Sequence, residues 1–313
     1  MIELLEITKL FLIFSLLLIS PFNFFKKEIL GINFDQSSLI ALNLILNLNI
    51  LLFFSLIPLK LSDYSIFFIL YLLIFFIKNY FFERNILKFD NENYLTIFIF
   101  FIIFFILSID IANKLNLGWD AKWFWLIKSL YYSQDNTFKE LTEYIYNDYH
   151  PHLGSYLWAF FSNLTILNFE YFGRIFYLFL FIFVLFFITK KIFQNDYKSS
   201  LISTILIIIL YKYKYFSGLQ EILIFSILII ISKLIYDYIL NRNLKDLFII
   251  FLSLNLILWI KAEGIAYFFI VVFCINFIKK LNLNHRIVFN AACFFIIIFK
   301  ILIYNFFEIN LNN

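Results

Sequence analysis

Proline, glycine, cysteine and histidine are all scarce in this chain. Three prolines and six glycines occur among 313 residues. No Pro/Gly/Ser-rich linker divides the chain, and the paired helix breakers that mark transporter binding sites are missing. The two cysteines, Cys274 and Cys293, fall inside long apolar runs. That placement argues against a disulfide or a cysteine metal site and for inert buried thiols. There is no G-x-x-x-x-G-K-[ST] and no G-x-G-x-x-G run, so no nucleotide motif is present. The net charge is only +4, and the basic residues are scattered over several loops. Without a single basic patch, no nucleic-acid partner is read. No internal repeat is evident.

What the chain has instead is hydrocarbon. It is 63% hydrophobic with a mean hydropathy of +0.90, against ~45–50% apolar for a soluble domain. The excess of Phe, Ile, Leu, Tyr, Asn and Lys is the bias of a low-GC genome, so the phenylalanines need no functional reading. Apolar runs long enough to span, ~17–25 residues, recur along the length. The sequence predicts about ten spans, at roughly 8–25, 38–59, 64–82, 95–112, 172–189, 199–216, 219–239, 246–260, 264–278 and 287–306. Only helices satisfy their own backbone in lipid at that length. The first run, Leu10–Phe25, is followed by Lys26 and Lys27, not by small residues, so it reads as a retained span. The predicted fold is an all-α polytopic transmembrane bundle with one helical outer-face loop. It divides into 1–112, N-terminal spans; 113–171, the loop; and 172–313, C-terminal spans.

Charge orients the bundle. Lys26/Lys27, Lys78/Arg84/Lys88, Lys190/Lys191/Lys198, Arg242/Lys245 and Lys279/Lys280/Arg286 all fall on one side, which the positive-inside rule makes cytoplasmic. The long loop, the turn Ser217–Glu221, the turn Lys261–Gly264 and both termini take the other side. Residues 153–168 are expected to be an interfacial or re-entrant helix, because a full span there would invert every later loop. Trp119, Trp123, Trp125, Trp158 and Trp259 then all lie toward the outer surface, where indoles prefer to sit. Within the loop, Ala121–Tyr132 reads as a helix along the membrane, punctuated by Lys122 and Lys128. Thr137-Phe-Lys-Glu140 has the spacing of a capping box opening a second helix. Pro151 ends what precedes it.

The polar residues left over are candidates for chemistry. Asp120, in Gly118-Trp119-Asp120-Ala121, is walled by indoles at the membrane surface. Partial desolvation favours a raised pKa and a general base, while a plain helix N-cap is the alternative. Asp110 is a weaker candidate of the same type. His150-Pro151-His152 reads as an ordered loop shaping a pocket. Metal binding there is disfavoured, because no close third ligand is evident. Lys261 and Glu263, in Lys261-Ala-Glu-Gly264, pair with each other or reach a phosphate; snorkelling at a helix end is the plain alternative. Glu221 sits at a span entrance, where Ser217 would cap and Glu221 would face the helix dipole. Arg174 opens the next outer span.

Taken in order, these motifs resemble the GT-C class of integral-membrane glycosyltransferases. Members carry an acidic residue in the first large outer loop, here Gly-Trp-Asp120-Ala. A Pro-containing motif before an interfacial helix follows, here Tyr149-His-Pro-His-Leu153, with His152 in place of the usual second Pro. A later span opens with a Gly-Tyr-Ala-Asp-like turn, here Ser-Gly-Leu-Gln-Glu221. A Lys-Asn-Glu-Gly turn lies further on, here Lys261-Ala-Glu263-Gly264, with Ala262 for Asn. The resemblance covers about residues 95–280.

It implies a bacterial inner-membrane enzyme with its site facing the periplasm. The donor it implies is a polyprenyl-phosphate sugar and the acceptor a lipid, glycan or protein. Asp120 would be the base of an inverting transfer, and Lys261 and Arg174 would meet the leaving phosphate. Trp119, Lys122, His150, His152, Glu221 and Glu263 would line the substrate site. It implies no nucleotide cofactor and leaves a divalent metal open. The alternative is a transporter or flippase of a lipid-linked glycan, which calls for charged residues lining a path through the spans. Lys212, Lys214, Lys233, Asp237 and Lys300 lie near predicted span ends instead. A non-catalytic docking subunit calls for small-xxx-small faces, and the spans are bulky.

Overall fold

The computed structural model describes residues 2–22, 28–29, 32–33, 36–81, 91–144, 151–192, 196–278 and 282–309. Four helices come first: α1 (Ile2–Ile19), α2 (Gln36–Leu56), α3 (Leu61–Phe81) and α4 (Asn91–Asn113). A two-residue antiparallel ribbon, Glu28–Ile29 with Ile32–Asn33, lies between α1 and α2. A π-helical turn over Ala121–Trp125 leads into α5 (Leu126–Ser133), followed by α6 (Phe138–Tyr144) and α7 (Leu153–Asn163). The rest is α8 (Tyr171–Ile192), α9 (Asp196–Leu210), a 3-10 turn over Tyr213–Phe216, α10 (Glu221–Asn241), α11 (Leu244–Ile260), α12 (Gly264–Asn276) and α13 (Leu283–Phe306).

The protein is a helical membrane bundle. Among the described residues, six helices are long and apolar enough to cross a bilayer: α2, α3, α4, α8, α10 and α13. Each of the ten predicted segments coincides with a helix, though edges move. The first helix begins at Ile2 and stops before Pro21, not near 8 and 25. The sixth ends at Leu210 because the chain re-forms as the Tyr213–Phe216 turn.

In lipid no water takes the last carbonyls of a helix, so side chains must. Two buried asparagines of α2 do this for α1. Asn43 Nδ2 donates to the carbonyls of Leu18 (3.0 Å) and Phe22 (2.8 Å). Asn47 Nδ2 donates to those of Leu17 (2.9 Å) and Ser20 (2.7 Å).

α8 is the hub. Its first seventeen residues, Tyr171–Phe187, are all buried, and it packs on α4, α7, α9 and α10. α7 crosses it closely because residue 173 is glycine: a Cβ there would come within 2.2 Å of the Trp158 carbonyl oxygen. Every residue of α7 from Leu153 to Ser162 is buried, and it also packs on α2, α3, α5 and α11. Eleven residues rise about 16 Å, half of a hydrocarbon core of about 30 Å. The helix therefore enters the bundle without crossing it.

The predicted capping box is present. Thr137 N–H donates to Glu140 Oε2 at 2.7 Å, and Glu140 N–H reaches Thr137 Oγ1 at 3.4 Å. One helix of the loop departs from expectation. Ala121–Tyr132 is not one surface helix, and Lys128 is not at the surface. Ala121, Trp125, Lys128, Ser129 and Tyr132 form the inward face, at spacings of three and four. Trp119, Trp123, Ile127 and Leu130 face outward. Trp125, Trp158 and Trp259 are buried, so only two of the five indoles are exposed.

Contacts bring the loop and several helix ends to one end of the bundle. Asp135 accepts from Ser62 N–H (2.9 Å) and Oγ (3.0 Å), capping α3. His152 pairs with Ser55 at the end of α2. Phe138 packs on Phe307, just beyond α13. Gly118 N–H donates to the Ser217 carbonyl at 2.9 Å, just before α10.

Candidate functional site

The loop-bearing end holds eight of the nine candidate residues in two layers, one exposed and one buried. His150 lies outside the described residues. Lys122 is exposed on the π turn, and no partner is described for it.

Asp120 leads into the π turn with helical backbone angles (φ −59°, ψ −36°), and its side chain makes no capping bond. Among the described residues its carboxylate, half-buried, takes no hydrogen bond from any protein group. Trp119 (68% exposed) and Trp123 (60% exposed) stand beside it. This segment is fixed from behind. Gly218, at φ +88°, sits against Trp158 and Ala121; a Cβ there would lie 2.5 Å from the indole and 2.9 Å from the Ala121 methyl. Only glycine takes that conformation freely. The Asp120 segment and the turn leading to Glu221 therefore form one layer.

The second exposed element is a Glu–Lys–Glu cluster. Lys261 Nζ lies 2.6 Å from Glu221 Oε1 and 3.3 Å from Glu263 Oε1. Burial would pull the Lys261 ammonium down, but bonding and charge from Glu221 and then Glu263 outweigh it and hold it above the usual lysine range. Both carboxylates keep exposed oxygens that can accept from hydroxyls. An ammonium has three N–H donors; the two glutamates take two. The predicted Ser217 cap of α10 is not formed. Ser217 Oγ donates to the Lys214 carbonyl, and the N-cap is Gln220.

Arg174 belongs to the buried layer. It is fully buried, with Nε 2.9 Å from Glu170 Oε2 and Nη2 2.6 Å from Glu170 Oε1. Nη1 donates to the Phe216 carbonyl at 3.1 Å. Tyr213, whose hydroxyl meets the Lys114 and Asn116 carbonyls, lies beside it. The guanidinium thus ties the 3-10 turn to the segment before Asp120. Beneath it, Gln220 Nε2 donates to the Tyr177 hydroxyl (3.1 Å), which donates to the Gly154 carbonyl (2.9 Å). Asp110 is bound by Lys114 (2.7 Å) and the Tyr211 hydroxyl (2.8 Å).

His152 is buried too, its ring 4.2 Å from that of Phe138 and 5.5 Å from that of Trp259. Its Nε2 is 2.7 Å from Ser55 Oγ, and the single Ser55 hydroxyl proton goes to the Leu52 carbonyl at 2.6 Å. Nε2 is therefore the donor, and Nδ1 is a buried acceptor without a partner. Burial, then the charges of Lys128 and Lys300, hold this imidazole well below the usual histidine range. The unfolded chain binds a proton there near pH 6.5, and the folded chain does not. Stability present above that pH is therefore lost as the pH falls below it. Melting in detergent from pH 7.5 to 5.5 is expected to show this fall, and His152→Gln to flatten it. Equal slopes for the two proteins would overturn the assignment.

Among the described residues no group of three or more His, Cys, Asp or Glu side chains converges as a metal site would. Sequence reasoning missed Glu170 altogether, and it read Gln220 only as the neighbour of Glu221 in a polar pair at a span entrance. The i, i+4 spacing of Glu170 and Arg174 was the available signal. Lys300 was weighed only against a transport path. Comparison with protein families, with curated proteins and with solved structures finds no match for the chain.

Proposed function

We propose that this protein is a membrane glycosyltransferase of the GT-C kind. It would move a sugar from a polyprenyl-phosphate donor to a lipid, glycan or protein acceptor at the outer face of a bacterial inner membrane. The loop-bearing end is the periplasmic end in this reading, and all ten hydrophobic helices cross. The observation that carries it is the Asp120 carboxylate. Among the described side chains of the long loop, it is the acidic group that no protein group occupies, and it stands between exposed indoles on a segment braced from behind.

The chemistry follows. Asp120 takes the proton of an acceptor hydroxyl as that oxygen bonds to the anomeric carbon. The bond from that carbon to the phosphate oxygen breaks, its electron pair leaves with the polyprenyl phosphate, and the configuration inverts. Trp119 and Trp123 offer apolar faces to the sugar and the membrane. Glu221 and Glu263 accept from sugar hydroxyls, and the third Lys261 N–H meets the developing phosphate charge.

The test is direct. Membranes containing the protein are incubated with radiolabelled polyprenyl-phosphate hexoses or pentoses and a membrane-lipid extract. Label should move to a new product. No transfer from any donor would overturn the reading and favour a transporter.

A further inference from the structure

Two of the buried cations in this protein have carboxylates. Lys233 has Asp237 at 2.9 Å, and Arg174 has Glu170. Lys300 of α13 is different. It is 8% exposed, its Nζ donates to the Leu258 carbonyl at 2.5 Å, and it faces the rings of Trp259 (5.3 Å) and Tyr304 (5.2 Å). Among the described residues no carboxylate lies within ion-pair distance of it. A buried ammonium with no counter-charge is costly, and its three donors are not all used.

Lys300 also lines a cavity of about 290 Å³ between α11, α12 and α13. The walls are otherwise apolar, with Phe268, Phe269 and Ile297 among them. Pro151 and Ala262 mark the rim at the loop-bearing end. Lys300 lies six residues from the end of α13 at Phe306, about 9 Å below that helix end. The outward faces of α12 and α13 are exposed apolar surface, including Phe269, Phe273 and Leu302. The cavity thus presents one cation beneath a headgroup-level rim and hydrocarbon walls below.

We propose that this groove binds an anionic phospholipid of the adjoining leaflet, its phosphate paired with Lys300 and one chain lying between α12 and α13. A free anion would leave the apolar walls uncovered, and a zwitterionic or neutral lipid would leave Lys300 less well compensated. The site does not depend on Asp120 or on any transfer reaction.

The experiment uses the whole protein in nanodiscs of phosphatidylcholine doped with phosphatidylglycerol, with retained lipids counted by native mass spectrometry and melting followed in parallel. Phosphatidylglycerol should be retained selectively and raise the melting temperature of the wild type. Lys300→Met removes the charge and keeps the length and apolar packing, so it should fold at least as stably without anionic lipid. It should lose affinity for phosphatidylglycerol by about tenfold. Ala262→Trp, at the exposed rim, should block retention while leaving Lys300 in place. Equal retention of phosphatidylcholine, wild-type affinity in Lys300→Met, or full competition by inorganic phosphate would each overturn the proposal.

Discussion

Replacing Asp120 with asparagine should lower sugar transfer by about 10²–10⁴-fold, the usual worth of a general base, with little change in stability. The second half of that expectation comes from the structure. Asp120 forms no capping bond and no ion pair, and it sits at the edge of the π turn. Asn is nearly the same size, so a change within about 0.5 kcal/mol is expected for so unconstrained a site. Loss of transfer at unchanged melting temperature would then report chemistry and not folding. Donor binding and chemistry separate further. A lost base leaves donor binding intact, so KM for the polyprenyl-phosphate sugar should hold while kcat falls. Transfer that survives Asp120→Asn would remove Asp120 from the mechanism. Asp110 or Glu221 would then be the next residue to test, each of them already paired with a lysine.

Features with a periodic or local signal were legible in the sequence. The apolar runs gave the helices, because a bilayer admits little else at that length. The four-residue box Thr137–Glu140 gave the start of α6, because capping is settled within one turn. Charge balance pointed to an interfacial or re-entrant helix over 153–168 in place of a span, and the helix found there, Leu153–Asn163, is too short to cross. The sequence also brought Glu221, Lys261 and Glu263 to one end, and the structure joins them in one cluster. Features that depend on long-range packing were not legible. Lys128 looks like a surface cation in its own helix, and only the docking of α5 on α7 buries it. Asn43 and Asn47 read as ordinary polar residues in an apolar run. Their role appears only once α1 ends beside α2. The π turn at Ala121–Trp125 carries no compositional mark at all.

Arg174 is where sequence and structure part most, and it gives the second large prediction. At the opening of a span it looks like a free donor for a phosphate. In the structure its guanidinium is fully buried and held in a bidentate pair by Glu170. The pair is asymmetric: the Glu170 side chain is 26% exposed and the Arg174 side chain 0%. Glu170→Gln leaves a buried cation that cannot lose its proton, so it should cost about 3–5 kcal/mol. Arg174→Met leaves a carboxylate that can turn to water or take a proton, so the loss should be smaller, about 2–3 kcal/mol, part of it the orphaned Phe216 carbonyl. Combining the two should recover part of the larger loss, because the double variant buries no unpaired charge. Melting of the three variants in detergent measures this cycle. Transfer should fall with each single variant in step with its loss of fold, because the guanidinium ties the Tyr213–Phe216 turn to the segment that carries Asp120. A folded Arg174→Met with its melting temperature intact and its transfer abolished would show instead that the guanidinium meets the substrate.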